Sequence, residues 1–207
     1  MALDTEEEQV EKIQNIWNSY KQLIIIIVGV LLGVYFAFNY YADKKIKNSE
    51  QASQLYQEIL VEKILDINSI KTKVDLLKNN SRGTPYAARS AIYMSKLYSQ
   101  EGDNEEAIKE LVWAAENATE ESIQSMAYYH LANLFFVTDK LDRAMESAKK
   151  INTIGFQALA KDIIGDIYLK QGNKEEAKKS YTEGLKLNKG LSDFSKILQN
   201  KLDSIGQ

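Results

Sequence analysis

The chain has 207 residues, 26 Lys+Arg against 29 Asp+Glu, and a net charge of −3, a length that allows one domain plus an added segment. It has no cysteine and one histidine, which excludes disulfides, thiol nucleophiles, cysteine-ligated zinc and cysteine lipidation, and leaves only carboxylate-based metal sites. One proline and 10 glycines are too few breakers for a strand-rich fold, and residues 43–207 carry no net charge to attract nucleic acid; the composition predicts an all-α chain and no nucleic-acid partner.

Residues 1–22 are acidic, with Asp4, Glu6, Glu7, Glu8 and Glu11 against Lys12 and Lys21. Val10, Ile13, Trp17 and Tyr20 recur at spacings of three and four, which predicts an amphipathic helix lying first along a membrane interface. Residues 23–42 read LIIIIVGVLLGVYFAFNYYA, and from 23 to 38 the only polar side-chain atom is the Tyr35 hydroxyl. Twenty helical residues rise roughly 30 Å, the thickness of one hydrocarbon core. Trp17, Tyr20, Tyr40 and Tyr41 sit where an interfacial aromatic belt belongs. The acidic segment before the span and the lack of a small-x-small site argue against a cleaved signal peptide and for an uncleaved anchor. Lys12 and Lys21 precede the span and Lys44, Lys45 and Lys47 follow it, so lysine count alone leans toward a cytoplasmic C-terminal part. Gly29 and Gly33 form a GxxxG pattern, a candidate contact with another membrane helix.

From 43 onward the pattern becomes a helical repeat. Residues 49–67 and 70–79 read as a helix pair, and Thr84 before Pro85 predicts a capped helix over 85–100. Three phrases then align: YMSKLYSQEGDNEEA (93–107), HLANLFFVTDKLDRA (130–144) and IIGDIYLKQGNKEEA (163–177). Each runs from an apolar stripe through an aromatic and a polar turn to an alanine: Ala107, Ala144 and Ala177. This resembles the tetratricopeptide repeat, with Ser95, Ala132 and Gly165 at its small position and Gly102, Asp139 and Gly172 at its turn. Asp103 or Asn104, and Asn173, are expected to cap the second helices, with Glu105, Glu106, Glu175 and Glu176 at the positive ends of the dipoles. The uneven alanine spacing predicts a lengthened loop near 117–121. Phe194, Ile197, Leu198, Leu202 and Ile205 form one face of a final helix that covers the open end of the solenoid.

The repeat register implies a concave protein-binding surface. It would carry Arg89, Ile92, Lys96 and Ser99, then Met126, Tyr129, Asn133 and Phe136, then Leu159, Asp162, Asp166 and Leu169. Some tetratricopeptide cochaperones clamp a terminal carboxylate; here only Lys96 and Asn133 fit, and Asp162 and Asp166 are expected to repel it. Ile92, Met126, Tyr129 and Phe136 suit extended, partly apolar chains; packing against one another is the equal alternative. His130 lacks a patterned acid or serine partner and reads as structural. Lys170, Lys174, Lys178 and Lys179 read as a solvated helix face. No P-loop, GxSxG or HExxH occurs, so neither an enzyme nor a cofactor is expected.

The order of these parts resembles the YfgM family of bacterial inner-membrane proteins almost end to end. VGVLLGVYFAFNYY (28–41), QASQLYQ (51–57), Tyr86, LKQGNKEEAKKSYTEGL (169–185) and LSDFSKILQNKLDSI (191–205) carry the resemblance. It implies an ancillary subunit of the SecYEG translocon, anchored by 23–42, with a cytoplasmic N-terminus. The repeat domain (43–207) would lie in the periplasm and associate with the chaperone PpiD and with secreted or outer-membrane clients. Two alternatives stay open at this point: a cell-envelope assembly scaffold, and a cytoplasmic-facing adaptor if the topology is inverted.

Overall fold

No proline and only two glycines interrupt residues 6–61, and they form one continuous helix, α1 (Glu6–Val61). The computed structural model describes residues 6–61, 66–188 and 192–206. Asp4, the 62–65 portion of the helix expected over 49–67, and Leu191 of the tail phrase lie outside them. The chain divides into two compact units, 1–48 and 49–207, and the division falls inside α1. The amphipathic turns around Trp17 are the first turns of that long helix. Likewise the first helix of the repeat unit does not start at 49; it continues α1, because nothing near 43–49 can break a helix.

In the first unit the apolar side chains meet no protein. Ile26 is 62% exposed and Phe38 72%. An unbroken apolar sheath of this size is unstable in water. Among the described residues, α1 is the one helix long and apolar enough to cross a membrane.

The second unit is built from helix pairs. The 49–61 end of α1 is followed by α2 (Ile67–Asn80); then come α3 (Pro85–Gln100) with α4 (Asn104–Asn117), and α5 (Glu121–Val137) with α6 (Leu141–Lys149). The last pair is α7 (Ile154–Lys170) with α8 (Lys174–Leu187), closed by α9 (Ser192–Ile205). Among the described residues there is no strand. The all-α reading and the repeat architecture are thus borne out. First helices α3, α5 and α7 pack side by side, as a solenoid requires.

The repeat signature has visible physical causes. Ala107, Ala144 and Ala177 are each 0% exposed, at the point where the helices of one pair touch. The turn residues Gly102 and Gly172 have φ of +84° and +82°, and Asp139 keeps the same left-handed conformation at +62°. Asp103 Oδ1 accepts from the Glu106 N–H at 3.2 Å, a true N-cap. Asn173 occupies the equivalent place without a side-chain cap bond. Thr84 stands at the start of α3, but its hydroxyl donates to the Ser81 carbonyl at 2.7 Å and does not cap the helix. The loop expected to be long is not: 118–120 is shorter than its counterpart 150–153. The extra residues lie in α4, 14 residues against nine in α6.

The main core runs from Ala52 and Ile59 of α1 through Met94, Leu111 and Phe135 to Ile167. A second cluster joins Ala177 and Tyr181 of α8 to Leu198 and Ile205 of α9, so the last helix covers the open end as expected. Phe194 and Leu202 pack against that cluster, whereas Ile197 is 50% exposed and lies off the buried face.

Candidate functional site

A groove of about 520 Å³ in the repeat unit is lined by residues of α1, α3, α4 and α5. On α3 the expected Arg89, Ile92, Lys96 and Ser99 line it, joined by Tyr93 and Ser95. On α5 the expected Met126 and Asn133 line it, but the other positions are His130 and Val137, each one residue beyond the expected Tyr129 and Phe136. The floor is Leu111 of α4 and Leu134 of α5, and Tyr56 of α1 supplies another wall.

Tyr129 is instead half-buried against its neighbour, with its ring 5.7 Å from that of His130, and its carbonyl accepts from Asn133 Nδ2 at 2.8 Å. Phe136 lines a separate hollow with Asp166, Leu169 and Lys170. There the Lys170 ammonium stands 4.9 Å from the Phe136 ring centre and pairs with Asp139 at 2.7 Å. The lysines of that helix face are solvated and locally paired: Lys178 with Glu175 and Lys179 with Glu176.

Asp162 and Asp166 do not line the groove. Lys201 of α9 donates to Asp162 Oδ1 at 2.6 Å and to both Asp166 oxygens at 2.8 Å. Burial pulls the Lys201 pKa down, but its hydrogen bonds to the two carboxylates outweigh it and the ammonium is held above its ordinary value. One ammonium meets part of the charge of the two carboxylates, on the side where α9 docks.

The groove is apolar along its length and cationic at intervals. Arg89 Nη2 lies 3.4 Å from Glu120 Oε2, with both side chains about two-fifths exposed, an ion pair of little strength. Lys96 is exposed and makes no ion pair among the described residues. Burial raises the Tyr56 pKa, Arg89 opposing it, and the Tyr56 ring lies 5.9 Å from that of Tyr86. His130 is open to solvent within the groove, yet the walls strip away enough water to lower its pKa. No group of three or more potential metal ligands comes together among the described residues. The arrangement is chemically suited to binding. Gly29 and Gly33 are far from the groove in sequence; added Cβ atoms there would meet nothing within 4 Å, so the GxxxG face is open within this chain.

A family model described as a tetratricopeptide repeat-like domain matches residues 14–207. The chain belongs to that family. The match begins ahead of the apolar span and covers the span and the repeats together. The expected kinship with the YfgM family is also borne out by curated relatives named "Ancillary SecYEG translocon subunit". One from Aggregatibacter actinomycetemcomitans is 28% identical, covering 88% of this chain and 90% of its own. One from Escherichia coli K12 is 20% identical over 98% and 97%, and one from Neisseria gonorrhoeae is 24% identical over 99% and 100%.

Proposed function

We propose that this protein is an ancillary subunit of the SecYEG translocon, anchored once in the bacterial inner membrane. Residues 23–42 cross the bilayer, residues 1–22 stay in the cytoplasm, and the repeat unit works in the periplasm. There its groove holds segments of the chaperone PpiD or of secreted and outer-membrane clients. The observation that carries this reading is the near end-to-end match to relatives of that name, anchor and repeats together. The apolar groove agrees with a binding role. Gly29 and Gly33 are the proposed contact with a translocon helix.

Native-level pull-down in mild detergent, probed for SecY and PpiD, tests it; recovery of neither ends the proposal. Topology needs its own test, because three lysines after the span and two before it favour the inverted adaptor. A reporter active only in the periplasm, fused to Gln207, is expected to be active. A cytoplasmic signal would establish the adaptor orientation instead. Enrichment at the division site without SecY would point to the envelope scaffold.

A further inference from the structure

No carboxylate lines the groove among the described residues, although acids make up more than a tenth of the chain. Its charged members are both cations, Arg89 and Lys96, on one face of α3. Seven residues of helix separate them, about 10 Å along the axis. Between and opposite them the walls are apolar: Ile92 on α3, and Met126 and Val137 on α5, with Val137 70% exposed. A chain in the extended, left-handed polyproline II conformation rises about 3.1 Å per residue and returns to the same face every three residues, so side chains three apart reach both cations. The volume lies within the range that buries a small ligand or a short run of side chains.

We infer that the groove selects extended polypeptide segments in which two apolar residues are flanked by acidic side chains, one facing Arg89 and the other Lys96. This rests on the binding role proposed above and adds its specificity. The apolar pair fills the space between Ile92 and Val137. The flanking carboxylates meet the cations at the rim, where Arg89 exchanges its weak pairing with Glu120 for the ligand. The unused oxygen of Asn133, whose amide nitrogen is engaged by Tyr129, accepts an N–H from the segment backbone. Basic flanks place like charges together and are rejected. The acids are internal side chains, not a chain terminus, because the cations stand at both ends of the apolar stretch.

The test uses the full chain in lipid nanodiscs, with empty nanodiscs as control, and dye-labelled decapeptides read by fluorescence anisotropy. All peptides share a central phenylalanine–leucine pair and amidated C-termini; they differ in glutamate, glutamine or lysine flanks. The glutamate peptide is expected to bind about tenfold more tightly than the lysine peptide, from two exposed charge pairs. That preference should shrink in high salt, which screens rim charges. Arg89→Gln with Lys96→Gln is expected to erase the preference, and Arg89→Glu with Lys96→Glu to reverse it, a result that misfolding does not produce. Val137→Ser, at an exposed position, is expected to weaken all three peptides. Equal binding of the three peptides by the parent protein overturns the charge selection and leaves the groove reading intact. Binding of none overturns both. A preference that survives both double variants shows that the cations are not its source and also overturns the inference.

Discussion

The ring of Tyr181 lies against Gly165 so closely that a Cβ at 165 would come within 2.6 Å of its Cδ1. Tyr181 is fully buried and its hydroxyl donates to Asp166 Oδ1 at 2.7 Å, so the ring has no room to turn aside. By repeat register the same two positions hold Ser95 with Leu111, and Ala132 with Ala148. Of the three pairs, only the one with an aromatic on the second helix has a glycine on the first. Gly165 is therefore a packing glycine inside a helix, and Tyr181 is the reason.

Gly165→Ala should destabilise the repeat unit, although alanine is the better helix former. Helix propensity returns about 1 kcal/mol. Overpacking costs about 1–3 kcal/mol at a site that cannot relax. Thermal unfolding of the full chain in detergent, followed by circular dichroism, is expected to show a lower midpoint. Gly165→Ser combined with Tyr181→Leu copies the pair of the first repeat, and should lose less than the two single changes added together. A Gly165→Ala variant as stable as the parent would mean the ring has space after all.

Lys201 is the cation that fastens α9 to α7. Lys201→Ala leaves Asp162 and Asp166 side by side without it, and should lower stability by about 1–2 kcal/mol, a partly exposed share of what breaking a buried pair costs. The loss should be local, seen as faster amide exchange in α9. Burial, opposed by Lys201, already holds the Asp162 pKa above its ordinary value of 3.8. The folded state therefore binds that proton more tightly, and this contribution to stability fades as pH rises through the raised pKa. In Lys201→Ala the window should reach to higher pH and the fade should deepen. Unchanged exchange in α9 would show that Leu198 and Ile205 hold the helix without the ion pair.

His130 gives the opposite slope. Its folded-state pKa is lowered by burial from the ordinary 6.5. The unfolded chain then binds the proton more readily, so stability is full above 6.5 and is lost as pH falls through the window below it. His130→Gln should flatten the dependence of the unfolding midpoint on pH across that window. An identical slope in the variant would assign the dependence to other groups.

Asp139 holds a left-handed backbone where the other two repeats use glycine. Asp139→Asn should be close to neutral, because asparagine tolerates this conformation. Asp139→Val should cost about 1–2 kcal/mol, since a β-branched side chain clashes there. Its exposed pairing with Lys170 contributes little, so loss of charge alone does not explain such a difference. Comparison of the two variants by thermal unfolding separates backbone strain from charge.

The concave surface was legible on α3 and only partly so on α5. Arg89, Ile92 and Lys96 follow from the repeat register, and so do Met126 and Asn133. Tyr129 and Phe136 do not; on α5 their neighbours His130 and Val137 line the groove in their place. Tyr56 lies on a helix outside the three aligned phrases, so the repeat register assigned it no face. Asp162 and Asp166 were placed on the right helix, but their partner lies 35 or more residues away in α9. No local pattern marks such a pairing.

Local chemistry sufficed for much of this protein. The apolar run at 23–38, the scarcity of breakers, the small–turn–alanine phrase and the amphipathic last helix determined an all-α chain with one candidate span and a capped repeat unit. These depend on side-chain type and spacing over a few turns, which sequence displays directly. Tertiary structure alone decided which residues of α3 and α5 line the groove. It also decided that α4 absorbs the extra residues, and that the groove keeps its cations while its expected acids are claimed by Lys201. Those outcomes depend on helix rotation and on contacts between distant segments, and periodicity carries no information about either.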